Sequence, residues 1–81
     1  PVVGYNLSAL LYQRQNFARA QFYIARVNNS ERANAESLWL GIKVERALGD
    51  GASVRQLADR LGQRFPESKE WHRYERGAFH E

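Results

Sequence analysis

Eighty-one residues, 43% hydrophobic and 26% charged, make one small domain with little core for its length. No window approaches the roughly 18 apolar residues of a membrane span, and the lack of cysteine excludes disulfides and thiolate metal sites. Twelve basic against nine acidic residues leave a net charge of +3. The first 27 residues carry Arg14, Arg19 and Arg26 with no acid, but elsewhere the signs are interspersed, as on solvated faces. The chain opens on Pro1 and has no methionine, so it is expected to be a processed product or an excised piece. Any leader or lipid anchor would then lie upstream.

From Val3 to Tyr12, the residues Leu7, Leu10 and Leu11 with small Ser8 and Ala9 fit a first helix. Asn16 is a candidate cap for a second, from Phe17 to about Val27, with Phe17, Ala20, Ile24 and Val27 on its core face. Asn28, Asn29 and Ser30 should break it. Asn34 then caps a third helix within the stretch Ala35 to Asp50. Leu40, Val44 and Ala47 share one face of it, and Leu38, Trp39 and Ile42 widen the stripe over most of its girth. A helix so apolar must be covered on two sides, which places it between other helices. Gly41 in its middle costs about 1 kcal/mol against alanine and is expected where another backbone comes close. Alanine there should be mild and leucine disruptive.

Gly49 is the stop signal, and Asp50 a good cap for a fourth helix from about Gly51 to Arg64. Its stripe is Val54, Leu57, Ala58, Leu61 and Phe65, and Pro66 ends it. Ser68 can cap a last helix carrying Lys69, Glu70, Trp71 and Tyr74, with Gly77 ending it and Ala78 to Glu81 frayed. No stretch alternates as a strand does. The chain is expected to be all-α.

A repeat underlies these elements. Ala20, Ile24 and Val27 recur 34 residues later as Val54, Ala58 and Leu61, and Leu7, Ser8 and Leu11 recur 33 residues later as Leu40, Gly41 and Val44. A helix with a large–small pair, followed by a helix with a small residue at the crossing, resembles the tetratricopeptide repeat. The resemblance implies an α-solenoid fragment of antiparallel helix pairs, with a first repeat at 4–33, a second at 34–66 and a capping helix and tail at 67–81. It narrows on Ala20 to Asn28, Ala35 to Ile42 and Phe65-Pro66-Glu67-Ser68, which are similar to the C-terminal repeats of type IV pilus biogenesis pilotins. Those are outer-membrane lipoproteins that help the pilus secretin reach and assemble in the outer membrane. The resemblance therefore implies a periplasmic, outer-membrane-associated module. Its partner would be the secretin or another pilus assembly protein, and its membrane contact a lipid anchor outside this chain. A generic repeat scaffold or chaperone adaptor, which could be cytoplasmic, is the alternative.

In such repeats the first helices line a concave groove. Placing each first helix on the repeat pattern assigns Tyr5, Ala9, Tyr12, Trp39, Ile42 and Arg46 to it. Trp39 carries two readings, as a core residue against the neighbouring first helix or as an aromatic anchor in the groove.

Catalysis is not expected, nor a cofactor, metal or small-molecule substrate. His72 and His80 are spaced unlike metal ligands, and none of Ser30, Ser37, Ser53 and Ser68, all near helix starts, has a histidine close in sequence. Ser53 to Gly62 looks like the first helix and turn of a helix-turn-helix. The recognition helix should follow, yet Phe65-Pro66 opens that segment and polar Ser68 stands where an inward aliphatic belongs. Nucleic acid is not the expected partner.

Overall fold

The computed structural model describes residues 2–80 and, among them, five helices: α1 Val2–Gln13, α2 Phe17–Asn28, α3 Ala35–Leu48, α4 Gly51–Arg64 and α5 Lys69–Arg76. The chain is all-α, with successive helices packed as pairs.

Three of the expected caps form. Asn34 Oδ1 accepts from Ser37 N at 2.8 Å and Ser37 Oγ accepts from Asn34 N at 2.8 Å, a reciprocal box that satisfies two orphan donors of α3. Asp50 accepts from Ser53 N and Ser53 Oγ, and these bonds hold its carboxyl below the ordinary aspartate value. Ser68 Oγ accepts from Trp71 N at 3.1 Å at the start of α5. Asn16 is a correction, since its side chain caps nothing. The α1–α2 turn is too tight for that. It passes through Gln15 at φ 62, and Asn16 N donates back to Leu11 O at 2.9 Å. Gly49 and Gly77 end α3 and α5 in the left-handed region, at φ 81 and φ 70.

Ser8 Oγ donates to Ala20 O at 2.7 Å, while Tyr12 lies against Phe17 with ring centroids 5.5 Å apart. These pairings run in opposite directions along the chain, so α1 and α2 are antiparallel. α2 packs next on α3, α3 on α4 and α5, and α4 on α5. The central helix is covered on two sides as its girth requires. Leu40 and Val44 join Leu11, Ala20, Ile24 and Val27 in one core, while Leu38, Trp39 and Ile42 join Ala58 and Leu61 in a second. Ala47, expected to continue the first stripe, is exposed.

Gly41 marks a close approach, but not of backbone. A Cβ there would lie 2.7 Å from Asn28 Nδ2 and 3.2 Å from Leu57 Cδ1. Asn28, expected to break α2, is instead its buried last residue. Its amide donates to Ser37 O at 3.0 Å and its carbonyl accepts from Arg60 Nη2 at 2.6 Å, so one residue ties α2 to both α3 and α4. Buried Glu45 on α3 accepts two bonds of 2.9 Å from Gln21 on α2. At the other end Trp71 closes over Gly62, where a Cβ would meet three indole carbons at 2.7 to 2.9 Å. That contact seats α5 on α4. The segment expected to fray is ordered through His80: Phe79 turns back onto α3, and Glu81 lies outside the described residues.

Candidate functional site

Spacing of three, four and three puts Glu36, Trp39, Lys43 and Arg46 on one stripe of α3. That stripe faces a cleft between α1 and α5. Tyr5 from α1, Glu36, Trp39, Leu40 and Lys43 from α3, and Lys69, Glu70 and Arg73 from α5 line a cavity of about 230 Å³.

The cleft is electrically divided. Tyr5 lies at its acidic end, and burial, then Glu36, then Glu70 raise the phenol above its ordinary value. Lys43 lies at its basic end, and burial, then the charge of Arg73 lower its ammonium below the ordinary lysine value. The Lys43 Nζ stands 5.3 Å from the Tyr12 ring centroid and 5.8 Å from that of Trp39, within cation–π range of both. Two aromatic faces therefore hold a half-buried cation, with acidic and basic side chains both lining the cleft around it.

The six residues placed by repeat position fare differently. Tyr5 and Trp39 meet in the cleft, and Tyr12 joins them through Lys43. Arg46 is exposed at the far end, its guanidinium carbon 4.4 Å from the Phe79 ring centroid. Ala9 is half-buried against the first core and outside the cleft lining. Ile42 is a correction. It is 0% exposed among Leu38, Ala58 and Leu61, because the adjacent position, Lys43, carries the stripe between Trp39 and Arg46. Trp39 is 4% exposed and belongs to the second core while forming a wall of the cleft. Its Nε1–H is buried without an acceptor, a loss of about 1–3 kcal/mol. Glu36, Lys43, Glu70, Arg73 and Phe79 escaped the sequence reading. The three–four–three spacing through Glu36 and Lys43 was the signal that could have found the first two.

Elsewhere the surface offers little chemistry. His72 and Glu75, both exposed, approach to 3.6 Å within one turn of α5, and the described residues hold no group of three or more metal-ligating side chains. No described helix is long and apolar enough to cross a membrane. No family model, curated protein or solved structure was found to match this chain.

Proposed function

We propose that this chain is a protein-interaction module whose helix pairs stack as tetratricopeptide repeats, 4–33 and 34–66, closed by the helix within 67–81. The observation that carries the reading is the cleft between α1, α3 and α5, with aromatic walls from Tyr5 and Trp39 and opposed charges at its two ends. Aromatics and charged side chains of this kind anchor peptide segments. Four of the six repeat-related pairs share their burial, Ser8 with Gly41, Leu11 with Val44, Ile24 with Ala58 and Val27 with Leu61, whereas Leu7 and Val54 are only half-buried where Leu40 and Ala20 are buried.

The resemblance to pilotins extends the proposal to type IV pilus biogenesis. On that reading the partner is a segment of the pilus secretin, met in the periplasm at the outer membrane, with a lipid anchor supplied outside these residues. Calorimetric titration of the chain with the soluble periplasmic part of the secretin tests it. Binding should weaken about 30-fold in Lys43→Gln, the loss of roughly 2 kcal/mol typical of an interface hot spot, with helical content unchanged. No binding by the unaltered chain would refute the partner, and equal binding by the variant would refute the cleft.

A further inference from the structure

The residues after α5 do something that the peptide-binding reading alone does not require. Gly77 turns the chain in the left-handed region, Ala78 N donates to Arg73 O at 2.9 Å, and Phe79 is laid across the end of the Trp39 stripe. Its ring stacks on Trp39 with centroids 5.7 Å apart and planes 15° apart. It meets Tyr74 edge to face at 6.0 Å, and the Arg46 guanidinium lies 4.4 Å from its centroid. Trp39 and Arg46 come from α3 and Tyr74 from α5, so three side chains on two helices converge on one flat ring. Parallel stacking, an edge contact and a cation over the face are the three favourable geometries open to an aromatic quadrupole, and all three are met.

We propose that Trp39, Arg46 and Tyr74 form a receptor for an aromatic side chain of a partner segment, and that Phe79 is its built-in occupant. The inference rests on the reading of this face as a peptide-binding surface and names the chemistry it takes there, a phenylalanine-, tyrosine- or tryptophan-bearing segment. The occupant already present identifies the ligand class, because a site shaped to its own tethered ring accepts the same ring from elsewhere. Beside Phe79 an open cleft of about 480 Å³, lined by Arg46, Gly49, Gly51, Val54, Tyr74 and Glu75, gives the residues flanking such a ring a path to follow.

A tethered occupant competes at an effective concentration in the millimolar range, so it raises the apparent Kd of any rival in trans. The test uses the full chain and a synthetic peptide of sequence GAFHE, with the Trp39 indole N–H resonance as readout. In Phe79→Ala the resonance should shift saturably with peptide, with a Kd at least about tenfold lower than for the unaltered chain. Phe79→Tyr should remain as resistant as the unaltered chain, a GAAHE peptide should be silent, and Arg46→Ala in the Phe79→Ala background should weaken binding. Should Phe79→Ala lose helical content, Phe79→Leu keeps the apolar bulk but not the quadrupole and should show the same ordering. Equal affinity in open and closed forms, or no shift in either variant at about 10 mM peptide, overturns the proposal. Secretin binding discriminates the two readings. If Phe79→Ala binds the secretin as the unaltered chain does and ignores the peptide, the receptor fails and the cleft reading stands. A peptide shift without any secretin binding supports the receptor and removes the partner.

Discussion

A methyl group at Gly41 would land 2.7 Å from an amide that is already committed to Ser37 O. Alanine gains about 1 kcal/mol of helix propensity at that position. Against it stand an overpacking cost of about 1–3 kcal/mol and the weakened Asn28 bond. The cost wins, so Gly41→Ala should lower stability by about 1–2 kcal/mol in a urea titration, where sequence reasoning expects a mild effect. Asn28→Ala should relieve the clash, which a double-mutant cycle would detect as coupling between the two sites. Trp39 is buried in the second core and also lines the cleft, so its stability and binding roles are tested separately. Truncation to alanine should cost about 3–5 kcal/mol, a large part of the roughly 5–15 kcal/mol that holds a domain together, and melt the chain at much lower temperature. Trp39→Phe keeps an aromatic wall and removes the unpaired N–H, so its thermal melt should stay within about 1 kcal/mol of the unaltered chain. A melt of Trp39→Ala unchanged within that margin would place the indole outside the core.

Among the elements, α5 is the shortest, and it packs on both α3 and α4. It has eight residues, too few to be stable alone, and it is seated by Trp71 lying over Gly62 of α4. Three indole carbons stand within 2.9 Å of the missing Cβ, so the Trp71 ring must shift to admit one. Gly62→Ala should therefore leave α1 to α4 folded and loosen α5. Hydrogen exchange of the α5 amides should quicken by about tenfold, equivalent to 1.4 kcal/mol, while the protection of α2 and α3 is retained. Uniform loss of protection would show instead that α5 is integral to one cooperative unit. Most of this helix was legible beforehand: Ser68 signalled its start and Gly77 its end. Its docking was not. Which face of a short helix turns inward depends on what lies above Gly62, and local spacing carries no record of that.

For the whole molecule, the helix-turn-helix alternative now has a geometric test. The α4–α5 pair exists, but Trp71 and Tyr74 are packed against the second core and Glu70 is buried. What α5 leaves exposed is Lys69, His72, Glu75 and Arg76, a mixed surface rather than a basic reading face. Titration with labelled duplex at about 150 mM salt should give only salt-sensitive binding no tighter than about 10⁻⁶ M, without sequence preference. Nanomolar, sequence-selective binding would overturn the interaction-module reading at once.

The number of helices, their approximate limits and the central place of α3 followed from the chain alone, because periodicity, caps and left-handed glycines are written in neighbouring residues. Two-sided burial of α3 was legible for the same reason, since a helix apolar over most of its girth has no solvent face to offer. The candidate site was legible only in part. Tyr5 and Trp39 line the cleft and Arg46 lies beyond its end, yet the repeat register chose Ile42 where Lys43 stands. Position 42 or 43 can complete a stripe from Trp39 to Arg46, and only the packing of Ala58 and Leu61 against α3 decides that Ile42 turns inward. Glu70 and Arg73 reach the cleft through the docking of α5, and Phe79 through a reversal at Gly77 that sets it beside residues far away in sequence. Such juxtapositions belong to the tertiary structure, because they depend on which surfaces are left to cover once the helices have met.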